Sequence, residues 1–277
     1  ADREKFYGDP DFVEVPIDTL LSPAYNTERR RLIGREASAR IRPGTIPGYG
    51  GPVVYGLEDG SRHQVLDGGD TVPVDESAGG VAIATGDTVH LDVADRQGNL
   101  VSITPSGGWL RSSPTIPELG FALSNRGQIF TLEDGTPGAL QPGKRPRTTL
   151  SPGLAFRDGV PYMAFGTPGA DRQDQWALQF FLRLVDHGQN LQQAVDAPTF
   201  NTSHFPASFF PKRAGLRSLD VEGRFDESVV ADLQARGHAV TVGDDWSQGR
   251  LCAVARDHDL LKSASSARLT QGYAMGR

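Results

Sequence analysis

Apolar and polar residues alternate most regularly between positions 88 and 104, in Thr88-Val89-His90-Leu91-Asp92-Val93-Ala94 and Asn99-Leu100-Val101-Ser102-Ile103-Thr104. A period of two puts successive side chains on opposite faces, so the pattern predicts strands over 88–94 and 99–104. A short turn carrying Asp95, Gly98 and Asn99 closes them into a hairpin with Thr88 at its mouth. A second hairpin is predicted over 153–165, turning at Arg157-Asp158-Gly159. It leads through Gly166-Thr167-Pro168-Gly169-Ala170-Asp171 into a helix over 173–187, where Trp176, Ala177, Phe180, Phe181, Leu184 and Val185 recur at helical spacing before Gly188. A strand, a glycine turn and a helix N-terminus in that order offer backbone N–H groups to an anion, so 166–171 is the strongest oxyanion-binding candidate.

The remaining pattern is less regular. A helix is predicted from Ser22, a suitable N-cap followed by Pro23, to about Ala39, with Arg29, Arg30 and Arg31 forming a solvated face in its later part. Residues 41–86 are rich in Gly, Pro, Asp and Ser and read as a long loop. Short strand-like runs occur at 121–123 and 129–131, and 133–147 reads as loop ending in the basic cluster Lys144-Arg145-Pro146-Arg147. The last third predicts helices at 190–197 and 226–236, the latter closed by Gly237, and strands near 216–222, 238–243 and 250–256. Helices alternating with hairpins predict a layered α+β protein with antiparallel sheet.

Composition narrows the function. The 277 residues with 38% apolar content suffice for a large core, and 33 glycines with 19 prolines suit a turn-rich enzyme better than a helical bundle. A net charge of −6 argues against nucleic acid or an anionic membrane as the main partner. The single cysteine, Cys252, excludes an internal disulfide and reads as a buried thiol in Leu251-Cys252-Ala253-Val254-Ala255. No run is long and apolar enough to span a bilayer, and no signal segment is visible, which leans towards the cytoplasm while leaving the compartment open. Starting at Ala1 without an initiating methionine, the chain reads as the interior of a longer protein. The six histidines show no metal-binding spacing on a legible helix and phosphate-binding glycine motifs are missing, so no metal and no cofactor is expected.

In Thr88, His90, Val93, Asp95, Gly98 and Asn99 the first hairpin resembles the start of the small subunit of gamma-glutamyltranspeptidases, N-terminal nucleophile hydrolases whose precursor cuts itself before a threonine. Gly8-Asp9-Pro10-Asp11-Phe12, Val15-Pro16 and Leu20-Leu21-Ser22 resemble the end of that family's large subunit, and Ala264-Ser265-Ser266-Ala267-Arg268 to Gly272-Tyr273-Ala274 its small-subunit end. The similarity covers most of the chain and is strongest at 86–104, 143–152 and 165–170. It implies a four-layer αββα sandwich with antiparallel sheets. Residues 1–87 would be the end of the large subunit with its tail before the cleavage site, and 88–277 the catalytic small subunit. It also implies upstream residues of the same precursor as partners, in a heterodimer after self-cleavage or a dimer of such heterodimers.

The resemblance implies cleavage between Asp87 and Thr88, with Thr88 as nucleophile. A threonine hydroxyl needs a base, and the freed α-amino group, with a pKa near ~8 in peptides, can serve. By the same likeness Ser106 matches a supporting hydroxyl, Gly169 and Ala170 match the oxyanion-binding pair, and Thr148 and Thr149 match a Ser-Ser pair on the donor carboxylate. Thr148 and Thr149 read equally as hydroxyls at the start of a strand. Two positions depart from the family: Gly108 and Ile129 stand where transpeptidases carry an asparagine and an acidic residue that grip the glutamyl group. Arg126 and Arg147 are gained nearby; each suits a planar carboxylate and each equally suits plain surface charge. With Trp109 they could close a compact pocket. The implied activity is hydrolysis of a small-molecule amide whose carboxylate-bearing substrate lacks an α-amino group, as in oxamate amidohydrolases or acylases that remove a dicarboxylic chain. Two alternatives stand beside it: a true γ-glutamyl transferase or glutathione hydrolase using Glu118 or Glu133, and a non-catalytic or uncleaved form.

Overall fold

The structure is a computed structural model that describes residues 1–53, 56–57, 88–107, 113–209, 212–270 and 272–276. Asp87, Gly108, Trp109 and most of the predicted 41–86 loop lie outside the described residues. The N-terminal part holds three short helices, α1 (Asp2–Phe6), α2 (Ile17–Leu21) and α3 (Pro23–Arg30), with a small core of Phe6, Tyr25 and Ile46. Ser22 caps α3 by accepting from the Tyr25 N–H at 3.2 Å. The helix stops at Arg30 rather than near Ala39, because Tyr25 is its one buried residue and Ile33 is 78% exposed, leaving no apolar face to hold further turns.

Strand β1 (Gly56–Leu57) is followed by β2 (Leu91–Ala94) and β3 (Leu100–Ile103), which form the first predicted hairpin with Leu91 opposite Ile103. The Val89 N–H donates to the Pro105 carbonyl at 3.1 Å, carrying the ladder outward towards Thr88. Asp95 closes the turn by accepting from the Asn99 N–H and side-chain amide. Next come β4 (Thr115–Ile116) and β5 (Phe121–Ala122), a two-stranded pair. The run at 129–131 is not a strand: Ser124 caps a 3-10 turn over Asn125–Ile129 that buries Ile129, and only Thr131 bridges, to Ala139.

The second hairpin is β6 (Gly153–Arg157) and β7 (Val160–Gly166), its turn carrying Asp158 at φ 52° and Gly159 at φ 78°, the left-handed pair that tight hairpins need. Helices α4 (Gln173–Val185) and α5 (Leu191–Asp196) follow, α5 opened by a capping box of Asn190 and Gln193. The chain continues through β8 (Phe200–Asn201), β9 (Arg213–Ala214), β10 (Ser218–Val221), α6 (Glu227–Ala235), β11 (Ala239–Val242), β12 (Cys252–Asp257) and β13 (Leu260–Ser265).

The central sheet has the order β13-β12-β7-β6 and is antiparallel throughout. One face packs Met163, Ala253 and Ala255 against Phe180 of α4 and Leu191, Ala194 and Val195 of α5. The β2–β3 hairpin lies on the other face, so the described residues build a hairpin, a sheet and a helical layer in that order. The expectation of antiparallel sheet fails in two strand pairs of the described residues: β1 and β9 pair in parallel, Gly56 opposite Arg213, and so do β10 and β11, Ser218 opposite Ala239. A parallel return needs a crossover of a dozen or more residues, and α6 supplies it between β10 and β11.

This second sheet, in the order β11-β10-β8, is locked to the C-terminal segment by one buried ion pair. Glu222, fully buried, accepts from Arg268 Nε at 2.7 Å and Nη2 at 2.8 Å, from Arg224 Nη2 at 2.8 Å, and from the Thr199 and Gln248 N–H groups. Arg268 also donates to the carbonyls of Val195 and Ala197. Burial pushes the Glu222 carboxyl up, but hydrogen bonds from Arg268, Gln248 and Arg224 together outweigh it and hold the pKa below the ordinary value.

A depressed folded-state pKa contributes stability above the unfolded pKa that is lost as pH falls through the folded one. Glu222→Gln is expected to destabilise the protein by about 3–5 kcal/mol at pH 7, because it strands the Arg268 charge. In denaturant unfolding the gap between wild type and variant should narrow as the pH falls below the ordinary glutamate range; a gap unchanged with pH would contradict this reading.

Candidate active site

The hairpin inverts the usual arrangement of a sheet face. Its outer side carries Val89, Leu91, Val93, Val101 and Ile103, each 42–52% exposed, and its inner side is polar. Three cross-strand rungs line that inner side: Thr88 Oγ1 to Ser106 Oγ at 2.7 Å, His90 Nδ1 to Thr104 Oγ1 at 2.7 Å, and Ser102 Oγ to Asp92 Oδ1 at 2.7 Å. A lengthwise contact, His90 Nε2 to Asp92 Oδ2 at 2.9 Å, joins the lower two. Thr88 is 4% exposed, so the hydroxyl at the mouth of the hairpin is both buried and hydrogen-bonded.

Ser106 takes a second contact, from Arg126 Nη2 at 2.6 Å. The guanidinium also donates to Asn125 Oδ1 at 2.9 Å and lies over the Phe209 ring, 5.3 Å from its centroid. Phe209 packs with Ile129 and Ala170 in a small buried cluster. Thr88, Ser106 and Arg126 are therefore brought together directly, and Phe209 connects Arg126 to the glycine turn. An aromatic 83 positions downstream of Arg126 carries no signal in the sequence that marks it for this place.

After β7 the chain turns at Gly169, φ 140°, and Ala170, φ 48°, before the 3-10 turn 170–172 and α4. The first N–H groups of a helical turn have no partner within it, which leaves them available to an anion. Gly169 admits no side chain: a Cβ there would lie 2.5 Å from Trp176 Cζ3. Ala170 holds a left-handed conformation that costs an alanine roughly 1–2 kcal/mol, offset by packing its methyl on Ile129 and Phe209. Asp171, the next residue, accepts from the Ser208 N–H at 2.7 Å and from Arg3 Nη2 at 2.6 Å, tying the turn to α1.

The other sequence-derived residues are placed elsewhere. Thr149 is buried and Thr148 exposed, with Thr148 Oγ1 accepting from the Leu150 N–H at 3.1 Å. Arg147 pairs with Glu4 and donates to Ser208 Oγ at 2.8 Å. Lys212 joins the same carboxylate at 3.2 Å. Burial, with Arg3 adding to it, pushes Arg147 down to about 10; burial, with Arg147 adding to it, pushes Lys212 down to about 8. Glu118 is exposed in a turn and Glu133 is exposed just before one.

Cys252, at the start of β12, reaches the hairpin's inner face, with Sγ 3.5 Å from Asp92 Oδ2. Burial and the Asp92 charge push its thiol up to about 12, so it is no nucleophile at neutral pH. Gly166 lies flat beneath His90, where a Cβ would come within 2.3 Å of the ring. Among the described residues the cluster of His90, Asp92 and Cys252 is the one with the donor types and proximity to hold a metal. A search for histidine pairs on helices misses it, because His-x-Asp shares a face on a strand and the thiol is 160 residues away.

Residues 1–276 match the gamma-glutamyltranspeptidase family. The chain is 30% identical over 260 residues to the glutathione hydrolase proenzyme of Bacillus subtilis (strain 168), a match covering 94% of this chain and 39% of that protein. It is 33% identical over 260 residues to the acylase ACY 1 proenzyme of Pseudomonas sp. (strain SE83), covering 94% and 38%. Among solved structures it resembles LmbA2991HD, with a TM-score of 0.82, 49% identity and coverage of 100% of this chain and 46% of that one. It also resembles the cephalosporin acylase from Bacillus halodurans, with a TM-score of 0.71, 29% identity and coverage of 96% and 41%. The chain thus spans about two fifths of the length of these curated relatives.

The turn's geometry sets unequal tolerances at its two central positions. Gly169→Ala is expected to destabilise the protein by about 1–3 kcal/mol, through overpacking on Trp176 and an unfavourable φ. Ala170→Gly exchanges strain relief for a lost buried methyl worth about 0.8 kcal/mol and is expected to stay within ~1 kcal/mol of wild type. Thermal unfolding of the two variants side by side checks this; equal effects would contradict it.

Proposed function

The chain belongs to the gamma-glutamyltranspeptidase family, and on that footing we propose that it carries the nucleophile of a self-cleaving amide hydrolase acting on a carboxylate-bearing substrate without an α-amino group. In this reading Asp87-Thr88 is the scissile bond, residues 1–87 end the large subunit and 88–277 form the small one. The names of the relatives as proenzymes support such processing. Upstream residues of the precursor would cover the apolar outer face of the hairpin and complete the αββα sandwich, giving a heterodimer after cleavage.

The chemistry follows from the first rung. The Thr88 hydroxyl attacks the Asp87 carbonyl, the peptide nitrogen leaves as the new α-amine, and water releases the ester. The freed amine then takes the hydroxyl proton as Thr88 attacks substrate, and returns a proton to the leaving amine. Ser106, 2.7 Å from the attacking oxygen, holds it in place. The N–H groups of Gly169 and Ala170 are assigned to the oxyanion of the tetrahedral intermediate. Water resolves the acyl-enzyme.

The observation that carries the substrate class is the line Arg126–Ser106–Thr88. A guanidinium only two hydrogen bonds, 2.6 and 2.7 Å, from the attacking oxygen suits a carboxylate borne on or next to the carbonyl under attack, as in oxamate. Arg147 pairs with Glu4 and donates to Ser208 Oγ, away from Thr88, and the carboxylate is assigned to Arg126. Ile129, 2% exposed, offers a substrate ammonium no acceptor, a loss of roughly 1.5–3 kcal/mol that disfavours γ-glutamyl donors.

Steady-state kinetics on the processed full-length enzyme test this. Oxamate should be hydrolysed well and γ-glutamyl-p-nitroanilide poorly. Arg126→Ala should lose a charge-assisted contact of about 1.5–3 kcal/mol, which is roughly 10- to 150-fold in kcat/KM on oxamate. Comparable activity on both substrates, or an unaffected Arg126→Ala, would overturn the assignment.

A further inference from the structure

We propose that His90, Asp92 and Cys252 form a binding site for one divalent cation of the zinc type, which staples the nucleophile's hairpin to the central sheet. One ligand atom from each of His90, Asp92 and Cys252 lies within 4.8 Å of the other two, and Asp92 Oδ2 faces both His90 Nε2 and Cys252 Sγ. His90 and Asp92 share the inner face of the hairpin because they are two residues apart on a strand; Cys252 faces them from β12. Both hairpin side chains are only 1% exposed.

The atoms pointing away from the convergence are already held. Thr104 Oγ1 bonds His90 Nδ1 at 2.7 Å, and Ser102 Oγ donates to Asp92 Oδ1 at 2.7 Å. That is the arrangement of outer hydrogen bonds which fixes the tautomer and orientation of metal ligands. Gly166, where a Cβ would come within 2.3 Å of His90 Cε1, seats the imidazole directly on the backbone.

Ligand atoms at about 2.0–2.3 Å from a tetrahedral ion are spaced by roughly 3.3–3.7 Å. The Asp92 Oδ2 to Cys252 Sγ separation of 3.5 Å fits this, and the His90 Nε2 to Asp92 Oδ2 separation of 2.9 Å must open by a fraction of an ångström. A cavity of about 390 Å³ touches Thr88, His90, Asp92, Arg250 and Cys252 and leaves space for water as the fourth ligand. Mixed nitrogen, oxygen and sulfur donors favour zinc over magnesium or calcium, which take oxygen. On binding, the Cys252 thiol proton passes to solvent and His90 ligates as neutral imidazole with its ring proton on Nδ1 facing Thr104 Oγ1, so the thiolate and carboxylate balance the two positive charges of the ion.

Titration of the metal-stripped, full-length protein with Co²⁺ tests the site without reference to activity. One cobalt per chain should bind and produce a sulfur-to-cobalt charge-transfer band in the near ultraviolet, and Zn²⁺ should displace it and raise the unfolding temperature. Cys252→Ser should abolish the band. Asp92→Asn, which keeps shape and can still accept from Ser102, should weaken cobalt binding by more than ~10-fold. A titration without the band, a band that survives Cys252→Ser, or unchanged affinity in Asp92→Asn would each overturn the proposal.

Discussion

The hydrogen bond between Thr88 and Ser106 is the first rung of a polar ladder buried between two sheets, and the fold around it is arranged so that this ladder can exist. A polar face inside a sandwich is destabilising unless its groups are paired: each buried group left without a partner costs about 1–3 kcal/mol. Here the His90 nitrogens and Asp92 oxygens have partners, and Ser102 also reaches the Phe165 carbonyl of the sheet beneath at 3.3 Å. Because every rung spans the same two strands, a one-residue slip would send Thr88, His90 and Asp92 to the outer face and strand their partners. The ladder thus specifies register, and register places the Thr88 hydroxyl.

Charge pairs on the far side position the glycine turn proposed to bind the oxyanion. The turn at Gly169 and Ala170 is held from below by Trp176 and from the side by Asp171, which binds Ser208 and Arg3. Arg3 and Glu4 both lie on α1, so the N-terminal segment grips the turn region through Asp171, Arg147 and Lys212. Arg145 and Asp9 add a further link, in which Arg145 holds the Asp9 carboxyl well below its usual range. If the chain is cut before Thr88, these contacts join the two subunits. Few side chains near the site are fixed by apolar packing alone; most are fixed by paired charges and hydroxyls, as a polar pocket requires.

Local pattern was legible in the sequence and long-range partnership was not. Both hairpins, the apolar stripe of α4, the short helix α5 and the glycine turn announce themselves within fifteen residues or so of chain, though Val185 at the end of the stripe is 54% exposed. The helix after Ser22 runs shorter than its caps imply, since nothing buries Ile33. Strand direction also escapes local reading: β10 and β11 look like any two strands, and only the crossover through α6 makes them parallel. Thr88 and Ser106 were singled out by the family resemblance and Arg126 as a gain beside it, and the structure places the three side by side. The Phe209 ring under Arg126 and the thiol of Cys252 beside Asp92 depend on contacts across 83 and 160 positions, which no period in the sequence encodes.

The most direct test of the account is the intact mass and N-terminal sequence of the protein expressed from its whole gene, with Thr88→Ala beside it. The account predicts two chains from the wild type, the smaller beginning at Thr88, and a single uncut chain from the variant. A wild-type chain that stays joined at Asp87-Thr88, or a variant that is cut there as readily, would contradict the assignment of Thr88 as the nucleophile.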